Sequence, residues 1–131
     1  RNYTPGASSV KLDNLYHVVA LAEKLHLPVI EGTEMNSPGQ KFVDDFASKE
    51  LEPLVPMFLK GAHIVYAHSV LQRKCGMGYT SQWAKRSFEN VAEKNKFFEE
   101  LGSSLQHEQQ DSLGGLSEDV TPKNILAKIK N

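Results

Sequence analysis

The chain has 131 residues, of which 40% are hydrophobic and 24% are charged, a composition typical of one globular domain. Its 15 basic and 16 acidic residues give a net charge of -1, which disfavours nucleic acids and anionic membranes as partners. A single cysteine, Cys75, cannot form an internal disulfide, and this favours a reducing compartment, most simply the cytoplasm. The apolar runs are short, so we expect no membrane-spanning segment. Because the chain opens at Arg1 with turn-forming residues, we interpret it as a piece of a longer protein.

Residues 10–25 carry the clearest helical pattern. Apolar side chains recur there at intervals of three and four, which places them on one face of an amphipathic helix: Leu12, Leu15, Tyr16, Val18, Val19, Ala22 and Leu25. Pro28 ends this helix, because a residue before proline is forced out of the helical conformation. Val29 and Ile30 follow as a β-branched pair that predicts a short buried strand. A helix joined to a strand by a tight turn is typical of α/β proteins.

A short helix is predicted over residues 38–46. Ser37 stands at its N-cap, Pro38 at its first position, and Gln40 three residues after the serine, which is the pattern of a capping box. Its apolar face would consist of Phe42, Val43 and Phe46.

Two longer helices are predicted over residues 57–74 and 82–101. Each contains a band of apolar side chains at helical spacing. The glycine-containing turn between them ends the first helix, and Thr80 or Ser81 can cap the second.

The C-terminal residues differ in composition from the rest. Residues 103–120 are polar and contain several glycines, which indicates a mobile linker or a loosely packed arm. Residues 121–131 predict a short terminal helix that needs a surface to pack on. We therefore predict a mainly α protein with one short buried strand, whose globular part covers residues 1–102.

The loop after the predicted strand contains the candidate site. Glu34 and Asn36 are two residues apart in an extended segment, so their side chains point to the same side. Carboxylate and amide oxygens suit Mg²⁺, Mn²⁺ or Ca²⁺ better than Zn²⁺. The start of the next helix, at Ser37, Gly39 and Gln40, would direct backbone N–H groups towards an anion such as a phosphate.

The order of these features resembles the polymerase and histidinol phosphatase (PHP) family. A helix, the sequence Leu27-Pro28-Val29-Ile30, the sequence Gly32-Thr33-Glu34-Met35-Asn36 and a capped helix are similar to the last strand and loop of that family. In the family this loop commonly reads Gly-Ser/Thr-Asp-x-His, and its aspartate and histidine bind metal. On the resemblance, Glu34 matches the aspartate and Asn36 the histidine, so the metal-ligand motif is altered at both positions. The match covers about residues 10–46.

The resemblance implies both a fold and an activity. PHP proteins are metal-dependent phosphoesterases on a distorted (β/α) barrel, so this chain would be the C-terminal portion of such a barrel, with one strand and the helices after it. A divalent metal, Mn, Mg or Zn, and a phosphorylated small molecule would then be its ligands. The loop would form only part of the active site within this chain.

Simpler interpretations stand beside this one. A glutamate and an asparagine in such a loop often cap backbone N–H groups or face water. His63 and His68 are five residues apart, which turns them away from each other on a helix and predicts separate hydrogen bonds instead of a metal site. Lys74 beside Cys75 could lower the thiol pKa, but no histidine partner is evident for a nucleophile.

Two further groups of residues invite a functional interpretation. The basic side chains around the turn after residue 75 could hold a phosphate, although solvated helix ends are favoured: Arg73, Lys74, Lys85 and Arg86. The aromatic side chains of the second long helix are predicted to be core: Trp83, Phe88, Phe97 and Phe98.

The alternative function is a helical binding or oligomerisation module without catalytic activity. The amount of apolar helix surface is large for a chain of this length, and the terminal helix has no evident surface to cover. In this alternative the apolar helices would pack on a partner or on a second copy of the chain.

Overall fold

The computed structural model describes residues 7–32, 38–39 and 42–130, with side chains from Ser9 onward. The chain divides into two units, Arg1–Leu59 and Lys60–Asn131. The expectation of a mainly α protein is confirmed, and no strand occurs in the described ranges. Both domain boundaries predicted from composition, at residues 102 and 120, fall inside the second unit.

In the first unit, helix α1 (Ala7–Lys24) confirms the most regular pattern in the sequence. One face of the helix is half-buried or buried, and this face consists of Leu12, Leu15, Tyr16, Val19 and Ala22. Val18 and Leu25, which were predicted on the same face, are exposed. The Tyr16 hydroxyl donates to the backbone oxygen of Glu50 at 2.8 Å. The helix ends in a Schellman motif, because Leu27 N–H bonds to Ala22 O and His26 N–H to Glu23 O, with His26 at a φ of 54°.

The predicted buried strand at Val29 and Ile30 is wrong. Residues 27–32 have no regular secondary structure, and Ile30 is 64% exposed. A strand is stabilised by hydrogen bonds to a neighbouring strand, and no other part of the described chain supplies one. The β propensity of the pair was therefore insufficient by itself.

The predicted helix over residues 38–46 is also wrong where the structure describes it. Pro38 and Gly39 form a turn, and bends and turns continue from Phe42. Gly39 has a φ of 82°, which is incompatible with a right-handed helix. Of the predicted apolar face, only Phe46 packs, with its ring centroid 6.2 Å from that of Phe58.

Helix α2 (Val55–Cys75) confirms the predicted long buried helix and is preceded by a 3-10 helix, Glu52–Leu54. Its buried face in the second unit contains Ile64, Ala67, Val70 and Leu71. By length and composition alone, the run Glu52–Cys75 could cross a bilayer, with a mean hydropathy of 1.2. The central helix of a helical domain meets the same criterion, so the expectation of no membrane span stays a prediction.

The predicted helix over residues 82–101 is two helices, α3 (Gln82–Ser87) and α4 (Val91–Ser104). Ser81 caps α3 as predicted, since its hydroxyl accepts from Ala84 N–H at 3.1 Å. Asn90 caps α4 by accepting from Glu93 N–H at 2.9 Å. The extended residue Phe88, between the two helices, places its ring against Trp83 and Phe97.

The polar segment 103–120 packs more closely than the expected loose arm. It contains a 3-10 helix, His107–Leu113, in which Gln110 and Leu113 are buried. Helix α5 (Pro122–Lys130) confirms the predicted terminal helix and buries Ile125 and Ile129. It packs against α4 and the 3-10 helix.

The core of the second unit is built around a cluster of aromatic rings. Trp83, Phe97 and Phe98 are buried, with ring centroids 5.2 to 5.7 Å apart for the contacting pairs. The Trp83 indole N–H donates to Val120 O at 2.9 Å, so its polar atom is satisfied within the core. The prediction that these aromatic residues form a core is confirmed.

Candidate functional site

The predicted metal and anion site lies almost entirely outside the described residues. This applies to the predicted metal ligands Glu34 and Asn36 and to Ser37 and Gln40 of the anion site, so these assignments stay predictions. Gly39 is described and exposed, and its positive φ belongs to a turn, so the helical N-terminus expected to bind an anion is not formed at this residue.

Large apolar side chains on either side of this loop are exposed to solvent. Ile30 precedes it with 64% of its surface exposed, and Phe42 and Val43 follow it with 80% and 61% exposed. Glu31, between Ile30 and the loop, is half-buried and has an interaction within the structure. The predicted site is therefore bordered by apolar side chains that face solvent.

Exposed apolar residues are concentrated in the first unit. Among the described residues, all but two of the large hydrophobic side chains that are exposed lie before residue 60: Val10, Val18, Leu21, Leu25, Leu27, Ile30, Phe42, Val43 and Leu59. The second unit adds only Val65 and Val91, which are less exposed than any of these. Exposed apolar side chains that are concentrated in one part of a folded protein are typical of an interaction site.

Some of these exposed residues form a stripe of Val10, Val18 and Leu21 on α1 and Leu25 in the turn that follows, which we call the α1 stripe. At 3.6 residues per turn, the three helical side chains lie within about 80° of one another around the helix axis. Val19, on the opposite side, is buried. Helix α1 therefore has an apolar face directed into its own unit and another directed outwards.

A groove of about 280 Å³ lies in the first unit between α1 and the start of α2. Its lining is mostly apolar and consists of Tyr16, Val19, Ala20, Glu23, Pro53, Leu54, Pro56 and Met57. Glu23 is its only charged residue, and the Tyr16 hydroxyl is already bound to Glu50. The groove lacks the convergent polar groups that a small-molecule site needs to orient its ligand.

His68 and the cysteine of the second unit have structural partners. The His68 Nδ1 accepts from Tyr79 N–H at 2.9 Å, in agreement with the predicted hydrogen bond of this histidine, whereas that of His63 stays a prediction. The Cys75 thiol donates to Leu71 O at 3.2 Å, and burial raises its pKa. A raised pKa reduces the thiolate fraction and argues against a nucleophilic Cys75. Within the described ranges, no three His, Cys, Asp or Glu side chains are grouped closely enough to hold a metal.

The basic side chains near the turn after α2 mostly have hydrogen-bond partners within the protein. Arg73 donates to Gln110 at 2.8 Å, Lys74 to Asp111 at 2.5 Å, and Arg86 to Glu118 at 2.8 Å. Three of the four residues considered as a phosphate site are thus held by other side chains. The favoured interpretation, helix ends without a phosphate, agrees with these contacts.

Two buried polar groups were not identified from the sequence. Asn95 accepts from the Tyr79 hydroxyl at 2.6 Å, and the Lys94 ammonium lies 4.1 Å from the centre of the Tyr79 ring. Burial raises the pKa of Tyr79. The other group is Gln110, in a segment whose polar composition gave no indication of burial.

Comparison with family models, with curated proteins and with solved structures found no match for this chain.

Proposed function

We propose that this chain contributes one side of a metal-dependent phosphoesterase related to the PHP family, with the loop over residues 31–40 bordering the active site. Glu34 and Asn36 would be the metal ligands, and the substrate would be a phosphorylated small molecule. The divalent metal would be Mn, Mg or Zn, and it would neutralise the negative charge of the phosphate beside the carboxylates.

The observation that carries this proposal is the exposure of Ile30, Phe42 and Val43 on both sides of the loop. The predicted strand at Val29 and Ile30 is not formed. Apolar side chains that are exposed on both sides of the loop are nevertheless a surface that a larger folded unit would bury. The surface thus supports a loop that belongs to a larger folded unit.

Metal binding by the natural protein that contains this sequence tests the proposal. Isothermal titration calorimetry with MnCl₂ and MgCl₂ would be combined with hydrolysis of p-nitrophenyl phosphate. We expect Glu34→Ala and Asn36→Ala each to weaken Mn²⁺ binding by roughly tenfold or more and to lower hydrolysis.

Glu50→Ala and Asn14→Ala are the matched controls, because they change the same residue types at exposed positions away from the loop. Both should bind metal and hydrolyse phosphate as the natural protein does. Absence of metal binding, or equal binding by all four variants, would remove the phosphoesterase proposal.

The α1 stripe supports a second candidate, a helical binding module without catalytic activity. Its four exposed apolar side chains are a suitable surface for packing on another helix or on a second copy. Leu21→Lys places a charge in the middle of the stripe, whereas Asp13→Lys adds the same side chain at an exposed position outside it.

Light scattering after size-exclusion chromatography distinguishes the two functions. If the chain is a module that associates through the stripe, we expect an oligomer that Leu21→Lys dissociates and Asp13→Lys does not. A monomer at all concentrations would contradict self-association, and metal-dependent hydrolysis would independently favour the phosphoesterase.

A further inference from the structure

The side chain of Gln110 joins the 3-10 helix His107–Leu113 to α2. It is only 7% exposed, and its Oε1 accepts from Arg73 Nη2 at 2.8 Å. A guanidinium group can only donate hydrogen bonds, so this contact determines which end of the Gln110 amide is oxygen and which is nitrogen. The amide nitrogen must therefore point the other way.

That nitrogen has two neighbours. Gln110 Nε2 lies 2.9 Å from the Tyr66 hydroxyl and 3.2 Å from His107 Nδ1. Since an amide N–H₂ group has two donors and no acceptor, both neighbours must accept. His107 can accept at Nδ1 only when its ring is neutral and carries its proton on Nε2.

We propose that neutral His107 is a pH-sensitive clamp that holds this 3-10 helix against α2. Protonation of the ring would place an N–H at Nδ1, directly facing the N–H₂ of Gln110. The histidine would have to turn away, and one donor of a buried amide would lose its partner. Losing the partner of a buried donor is more costly than losing an exposed hydrogen bond.

Charged groups of both signs lie near His107. Those on α2 are Arg73 and Lys74, and Asp111 of the 3-10 helix, which interacts with His107, is bound by Lys74 at 2.5 Å. Helix α5 also packs against the 3-10 helix, and all of its charged residues are cations. The 3-10 helix itself contains a second acidic residue, Glu108. The cations of α5 are Lys123, Lys128 and Lys130, of which Lys130 is held by Glu100.

This contact lies within the second unit and does not depend on the proposed phosphoesterase. Histidine is the side chain whose charge changes most readily between pH 5 and pH 8. Comparison of pH 8 with pH 5.5 therefore tests the clamp, and the lowered pKa of Asp111 keeps that carboxylate charged at both values.

Hydrogen–deuterium exchange of the amides in residues 107–114 of the full chain tests the clamp. We expect their protection factors to fall about 3- to 10-fold between pH 8 and pH 5.5, the range that corresponds to one hydrogen bond. His107→Asn retains an acceptor oxygen near the position of Nδ1 but does not titrate, so its protection factors should not change with pH. His17→Asn, at an exposed position of α1, should behave like the unmodified chain.

A second measurement reads the proton position directly. In ¹⁵N-labelled protein at pH 8, NMR should show the His107 proton on Nε2. A proton on Nδ1 would overturn the clamp. Protection that does not change with pH in the unmodified chain, or that falls equally in His107→Asn, would also overturn it.

Discussion

Gly102 of α4 lies closer to another part of the backbone than any other described glycine does, and that backbone belongs to α2. The substitution Gly102→Ala tests this packing. A Cβ at this position would lie 2.0 Å from the carbonyl oxygen of His63, 2.6 Å from its carbonyl carbon and 2.9 Å from its Cα. Real Cβ contacts are essentially never shorter than 3.0 Å, so the two backbones would have to separate by about 1 Å. Backbone atoms of a buried helix cannot turn aside as a flexible side chain can.

The sign of the effect is decided by two opposing contributions. Alanine in the interior of a helix is favoured over glycine by roughly 1 kcal/mol. Overpacking of a core costs roughly 1–3 kcal/mol and sometimes more, and a clash between two backbones belongs at the upper end of that range. We therefore expect Gly102→Ala to lower the free energy of unfolding by about 2 kcal/mol, although helix propensity alone predicts a gain.

Urea unfolding measures this difference, with helix content followed by circular dichroism and the core by fluorescence of Trp83, the single tryptophan, which is 2% exposed. Gly32→Ala is the control, because a Cβ there would have no heavy atom within 4 Å. It should change the free energy of unfolding by less than about 0.5 kcal/mol. A Gly102→Ala variant as stable as the unmodified chain would refute the close approach of α4 to α2.

Three other predictions concern the packing and the electrostatics of the second unit. Leu113→Ala should lower the free energy of unfolding, measured in urea, by about 2–5 kcal/mol because the side chain is fully buried. Leu59→Ala, at a half-exposed position, should lower it by less than about 1 kcal/mol. Equal effects of the two substitutions would contradict burial of the 3-10 helix. Cys75 should react with iodoacetamide more slowly at pH 7.5 than glutathione does, because burial raises its pKa, and a rate equal to that of glutathione would count against this. The bond from Lys74 lowers the pKa of Asp111 below its ordinary value of 3.8, so its stabilising contribution is present above pH 3.8 and is lost as the pH falls through the lower native value. The difference in melting temperature between the unmodified chain and Asp111→Asn should accordingly disappear in strong acid, and a difference that persists there would disprove the assignment.

The helices that were predicted correctly are those whose signals are local. Helices α1, α2 and α5 each have apolar side chains at helical spacing, and Ser81 has the side chain that caps the next helix. The break between α3 and α4 also has a local signal, since Asn90 followed by Glu93 is a favourable helix start. That signal was obscured by apolar residues that continue at helical spacing through the break.

The features that the sequence did not predict depend on partners that are distant along the chain. Gln110 is buried because Arg73 and Tyr66, 37 and 44 residues away, satisfy its amide. Val29 and Ile30 favour a strand, but propensity forms a strand only when another strand supplies hydrogen bonds. For the metal site, the sequence provides Glu34 and Asn36 as candidates, and their geometry stays a prediction.

The two units differ in how many large apolar side chains they leave exposed, and this difference bears on function. The second unit exposes few of them among the described residues. The first unit exposes Ile30 and Phe42 beside the predicted site and, in addition, a whole stripe of α1. A partner that covered only the loop would leave this stripe in water, and the outer faces of the helices of a (β/α) barrel also meet solvent. Burial of the α1 stripe on self-association would therefore favour the binding module, whereas metal-dependent hydrolysis would favour the phosphoesterase.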